Sequence, residues 1–171
     1  MLVVLVELVR RTSVVSLIAA VLLALCQAPS QAATTTTTFN VSLTITASCS
    51  VSATALAFGS TGIIAANIDN TSTVTVTCTN TTPYNVGLNA GTGSGATVTN
   101  RLMTAGGATV GYALYSNAGR TTNWGNTVGT DTVSGTGNGS GQALTVYGRV
   151  PPQSTPAPGA YSDTITVTVT Y

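Results

Sequence analysis

Phe39-Asn40-Val41-Ser42-Leu43-Thr44-Ile45-Thr46 alternates apolar and polar residues without a break. Successive side chains of an extended chain point to opposite faces. The stretch therefore predicts a strand with Phe39, Val41, Leu43 and Ile45 on one side and Asn40, Ser42, Thr44 and Thr46 on the other. The same period of two returns at Val74-Thr-Val-Thr-Cys78 and at Ile165-Thr-Val-Thr-Val-Thr-Tyr171. Shorter apolar runs lie at Tyr84–Leu88, Val110–Tyr115 and Leu144–Val150. Thr is abundant, and its β-branched side chain suits a pleated surface and resists a helix. Turn-rich segments separate the runs, notably Gly91–Gly95 and Gly125–Gly141. The Pro-rich segment Pro151–Pro158 predicts a loop or an edge. Short alternating strands at this spacing predict an all-β fold, an antiparallel sandwich with one wet face per sheet.

Composition removes several functions. Of 171 residues only 5% are charged, with 5 basic residues, 4 acidic residues and no His. A soluble domain usually carries about 25%. No Lys or Arg cluster follows Arg10–Arg11, so the chain lacks the footprint of nucleic-acid binding. Without His there is no Ser–His–Asp triad and no His-ligated metal. A hydrophobic content of 43% argues against disorder.

The N-terminus reads as a leader. Arg10 and Arg11 precede an uncharged apolar stretch from Ser13 to Cys26, and Ser30-Gln31-Ala32 offers a small-x-small cleavage site. This predicts a signal peptide over residues 1–32 and export of the remainder. Two cysteines then remain, Cys49 and Cys78, and an even pair in an exported chain reads as one disulfide. Closing that loop is worth roughly 3.5 kcal/mol in the chain-entropy model. The charges after residue 32 are Arg101, Arg120 and Arg149 against Asp69, Asp131 and Asp163, a net of zero. Such neutrality suits a protein whose end state is an assembly. Uncharged, Thr-rich edges also lack the Lys residues that discourage edge-to-edge pairing. Either the edges are covered or edge pairing is the purpose.

The segment before Cys49 bears on that choice. Thr34–Thr38 is polar, and leads into the amphipathic stretch 39–46. On its residues alone this strand has two placements. It pairs within its own domain, the simpler arrangement, or it protrudes and completes a neighbour's sheet.

The ordered landmarks of residues 33–171 resemble the spore coat protein U domain of archaic, Csu-type chaperone–usher pilins. They are Val41-Ser-Leu-Thr-Ile-Thr-Ala-Ser-Cys49, Phe58-Gly59, and Val74-Thr-Val-Thr-Cys78. Tyr112-Ala-Leu-Tyr115, Ala118-Gly-Arg-Thr121 and Thr145-Val-Tyr-Gly148 follow. The last are Pro158-Gly-Ala-Tyr161-Ser-Asp163 and the closing Ile165–Tyr171. The resemblance implies an immunoglobulin-like sandwich that is incomplete, with residues 33–47 as an N-terminal donor segment and 48–171 as the domain. It implies that Phe39, Val41, Leu43 and Ile45 fill the acceptor groove of another subunit. Ile165, Val167, Val169 and Tyr171 would border that groove, and Cys49–Cys78 would match the family's disulfide. The implied partners are identical or homologous pilin subunits, a periplasmic chaperone and an outer-membrane usher. The implied location is a cell-surface fimbrium reached through the periplasm, supporting adhesion and biofilm. A single domain with one donor segment looks like a shaft subunit.

No catalytic, metal or cofactor site is expected, and no nucleic-acid partner. Asp163 is expected to hydrogen-bond the turn before the last strand, and Asp131 lies in a turn context. Arg101, Arg120 and Arg149 are expected at the surface or in turns, and Trp124 packing over a sheet edge. Gly59, Gly111 and Gly148 are expected at bulges or close strand approaches. Two alternatives stand beside the fimbrial reading. One is a spore-coat or matrix protein with the same domain, the other a secreted lectin using loop aromatics such as Tyr115 and Trp124.

Overall fold

The computed structural model describes residues 31–171. The leader expected over residues 1–32 thus falls, but for its last two residues, outside the described residues. The chain divides into two units, residues 1–43 and 44–171. Residues 31–43 carry no strand and are exposed throughout.

Residues 44–171 form eight strands in sequence order. These are β1 (Cys49–Ala53), β2 (Ile68–Cys78), β3 (Pro83–Leu88), β4 (Arg101–Ala105), β5 (Ala108–Tyr115), β6 (Val133–Thr136), β7 (Gly141–Val150) and β8 (Val167–Thr170). One sheet has the order β1-β2-β7-β5-β4 and the other β6-β3-β8, all pairs antiparallel. Inward residues of both sheets make a single apolar cluster, so the two sheets pack face to face as an antiparallel sandwich. Period-two reading locates the inner faces well. Val74, Val76 and Cys78 of β2 are buried and alternate with Thr75 and Thr77 on the other face, and Val146 and Val150 of β7 are buried as well.

The longest ladder, β2 with β7, runs from Ile68↔Val150 to Thr77↔Gly141. The disulfide Cys49–Cys78 is a directly opposed pair at the end of the β1–β2 ladder, with Cα atoms 4.1 Å apart. That spacing belongs to the closer class of antiparallel pairs.

Several expectations need correction. Residues 39–46 alternate as read but form no strand, and they have no ladder partner among the described residues. The edge strand of this sheet, β1, starts at Cys49 and runs after it rather than before it. β6 lies inside the stretch read as a loop over 125–141, because Val133 alone among Thr, Ser and Gly gives too little periodicity to read. Pro151–Pro158 is irregular, as its prolines require.

Arg101 is not at the surface but fully buried. Its guanidinium donates to four carbonyls: Nε to Asn89 O at 2.8 Å, Nη1 to Val98 O at 2.7 Å, and Nη2 to Leu88 O at 3.0 Å and Trp124 O at 2.7 Å. No carboxylate pairs with it among the described residues, so backbone dipoles carry the charge. Burial pulls its pKa below the ordinary arginine value. Trp124 is also buried in the core rather than over an edge, and its Nε1 donates to Val86 O at 2.8 Å. Together the two side chains tie the end of β3, the loop 89–100 and the Trp124 segment into one block.

Arg101→Met would keep much of the volume but leave those carbonyls without donors. We expect a loss of at least roughly 3 kcal/mol, read as a shift in the denaturant midpoint of the exported protein. For the disulfide, protein denatured without reductant should show no free thiol at Cys49 or Cys78, and Cys49→Ser should cost about 2–5 kcal/mol and lower the exported yield.

Candidate functional site

After β1 the chain passes across the inner face of the five-stranded sheet. Leu56 and Phe58 pack against the core over Gly148 of β7. Only glycine allows this approach. A Cβ at position 148 would sit 2.8 Å from Leu56 Cδ1 and 2.9 Å from Phe58 Cζ. That is well inside van der Waals contact.

A second irregular stretch leads from the Pro-rich loop to β8. It carries Tyr161, half-buried, whose hydroxyl donates to Ala157 O at 2.8 Å, and the half-buried Ile165. These two stretches, with the inner faces of β2, β5 and β7, line a groove of about 1190 Å³. Its apolar floor is Val74, Val110, Tyr112, Leu114, Val146 and Val150. The volume exceeds the roughly 300–1,000 Å³ of a small-molecule pocket and suits a length of chain. The two stretches join where Ile64 N donates to Thr155 Oγ1 at 2.9 Å and Gln153 N donates to Ile64 O at 3.1 Å.

β8 borders the groove through Val167 and pairs with β3 alone, from Asn85↔Thr170 to Leu88↔Val167. Asn89 extends that pairing, its N–H donating to Thr166 O at 3.1 Å and its Oδ1 accepting from Thr166 N at 2.8 Å. Among the described residues no strand pairs with the other side of β8, although β1 comes close to it without a ladder bond. By contrast, the free side of β4 is covered, since Thr104 and Ser162 exchange backbone hydrogen bonds.

Asp163 anchors the lead-in to β8. Its Oδ1 accepts from Thr92 N at 2.7 Å, Thr92 Oγ1 at 2.8 Å and Thr164 N at 2.7 Å, and its Oδ2 accepts from Tyr112 Oη at 2.8 Å. Gly91, with φ +86°, leaves the space the carboxylate occupies. Burial acts to raise the Asp163 pKa, but the donors from Thr92, Tyr112 and Thr164 outweigh it and hold the carboxyl below its ordinary value of 3.8. Burial, reinforced by Asp163, pushes the Tyr112 phenol far above its ordinary value. Phe58 meets the Tyr112 ring edge-on, with centroids 6.1 Å apart.

The groove-edge residues expected from sequence divide. Ile165 and Val167 line the groove, Val169 packs half-buried on the core, and Tyr171 is 60% exposed. Phe39, Val41, Leu43 and Ile45 are 71–86% exposed, an unusual concentration of free apolar surface in one short segment. Sequence reading missed the part played by Leu56, Phe58 and Tyr112. The available signal was the isolated i, i+2 pair Leu56 and Phe58 set among Ala, Thr and Ser.

Residues 35–168 match the Spore Coat Protein U domain. The chain belongs to that family. No curated protein matches it. Among solved structures it is similar to a chain in the crystal structure of the CsuC–CsuE chaperone–tip adhesion subunit pre-assembly complex, from archaic chaperone–usher Csu pili of Acinetobacter baumannii. The TM-score is 0.56 at 25% identity, covering 75% of this chain and 40% of that one. This family member thus spans less than half the length of the protein it matches there.

Asp69, Arg120 and Arg149 form a surface cluster. Arg149 grips Asp69 with two bonds of 2.8 Å, Arg120 lies 3.4 Å from the same carboxylate, and its guanidinium sits 5.7 Å from the Tyr147 ring centre. The Arg149 bonds hold the Asp69 pKa below its ordinary value. Trp124, being buried, offers no face to a sugar, which removes the main aromatic of the lectin reading.

A depressed carboxylate pKa gives a signed pH dependence. Asp163 contributes stability that is fully present above its unfolded value near 3.8 and is lost as pH falls through its lower folded value. Acid titration of unfolding should therefore show a loss below pH 4, and Asp163→Asn should flatten that part of the curve while leaving the contribution of Asp69.

Proposed function

We propose that this chain is a structural subunit of a chaperone–usher fimbria that polymerises by donor-strand complementation. Residues 34–46 of one copy lie along the free edge of β8 in the next. Phe39, Val41, Leu43 and Ile45 enter its groove. Before assembly a periplasmic chaperone supplies the missing strand, and an outer-membrane usher exchanges it for the donor. The assembled fibre stands on the cell surface and supports attachment and biofilm, and the subunit itself is not a catalyst.

One observation carries this reading. The same chain has an apolar groove beside an unpaired strand edge and, elsewhere, an unpaired alternating segment whose apolar side chains are exposed. The deficiency and the surplus match in chemistry and in period. Burying four such side chains is worth roughly 1.5–3 kcal/mol each, and each ladder bond adds about 0.5–1.5 kcal/mol. The likeness to a subunit complex of Csu pili supports the same assignment.

The test uses a synthetic peptide of residues 34–46 added to subunits released from their chaperone. An excess of it should occupy the groove and shorten the polymer, while the Leu43→Asp peptide should not, because an unpaired carboxylate would have to be buried or neutralised. The Ser42→Asp peptide should act like the wild type, since position 42 faces away. Polymer length unchanged by any of the three would overturn the mechanism.

A further inference from the structure

Phe58, Tyr112 and Asp163 come from three separate parts of the chain and all line the groove. Phe58 belongs to the stretch after β1, Tyr112 to the floor strand β5, and Asp163 to the stretch before β8. They touch in sequence. Phe58 packs edge-to-face on Tyr112, and the Tyr112 hydroxyl donates to Asp163 Oδ2 at 2.8 Å. Asp163 Oδ1 in turn accepts from Thr164 N, the residue immediately before the groove-lining Ile165. The contacts thus cross the floor from one bordering stretch to the other.

We infer that Phe58–Tyr112–Asp163 is a transverse tie that sets the width of the groove, and that Tyr112 is the positioning residue through which the free edge of β8 is held ready for an incoming strand. This rests on the donor-strand reading and adds a specific determinant to it. Three features favour a tie over simple core packing. Tyr112 spends a hydroxyl in an otherwise apolar floor, and a buried hydroxyl is kept only where it finds a partner. That partner is a carboxylate, which makes the bond charge-assisted and directional. Gly148 leaves room for Phe58 to reach the ring, so the first contact of the chain is also built by sequence. A strand that must pair along β8 and seat alternate side chains tolerates little error in spacing, because ladder and pockets share one register.

The experiment uses the mature chain released from its chaperone and a fluorescent peptide of residues 34–46, with capture rate and thermal unfolding measured in parallel. Tyr112→Phe keeps the ring on Phe58 and cuts only the bond to Asp163. Thr92→Val also removes one hydroxyl donor from that carboxylate, on the side away from the tie. Both should lower the unfolding temperature comparably. Tyr112→Phe should slow capture about tenfold while Thr92→Val leaves it near wild type, from the worth of one charge-assisted bond. Phe58→Leu cuts the tie at its other contact and should also slow capture. Equal capture by wild type and Tyr112→Phe, or equal slowing by Tyr112→Phe and Thr92→Val, would overturn the tie and leave donor-strand pairing standing. No capture by the wild-type chain would overturn both.

Discussion

A β-strand satisfies its backbone groups only with a neighbour on each side, and β8 has one. Much else in the molecule follows from that vacancy. The floor beneath it is built from the best apolar positions of β2, β5 and β7, so the place where a strand is missing is also the place where cover is worth most. The free edge of β4, by contrast, is closed by Ser162. Edge strands invite pairing unless something blocks them. Here the block is applied to the edge of β4 and withheld from that of β8.

Few charged groups enter the interior, and those that do are held by hydrogen bonds. Arg101 is held by four carbonyls, Trp124 by Val86 O, and Asp163 by donors from three segments. Each fixes an irregular stretch against a strand, which the sheets alone do not do. Arg101 secures the loop 89–100, and Asp163 secures that loop again through Thr92 while aiming the chain into β8. The sandwich can therefore keep its groove open and still hold its loops in place.

What the sequence disclosed followed from how the signal is written. β2, β3, β5 and β7 each bury every second residue over several positions, and period two exposed them. β1 follows Cys49 with Ser-Val-Ser-Ala, a pattern weaker than the alternation before it, so period two alone does not mark it. Arg101 looked like a surface residue because nothing local announces four carbonyls that meet only in three dimensions. The family resemblance implied the C-terminal border of the groove, and Ile165 and Val167 of that alternating run line it. Its floor was not, since Val110 or Leu114 beneath a groove reads the same as Val76 beneath a sheet. Leu56 and Phe58 needed Gly148, more than eighty residues on, to show why they lie inward.

The cross-strand disulfide has a mechanical meaning. In a fibre joined through residues 34–46, any pull along the axis reaches the domain at the start of β1. Drawn from that end, an edge strand would open pair by pair, beginning at Cys49↔Cys78, the weakest geometry a ladder can present to a load. The sulfur bridge sits on that first pair. In such a fibre tension would bypass β1 and pass covalently into the end of β2, which is paired along its length with β7. The bond that closes a loop in the unfolded chain would, in the proposed fibre, be the fitting through which one link hands its load to the next.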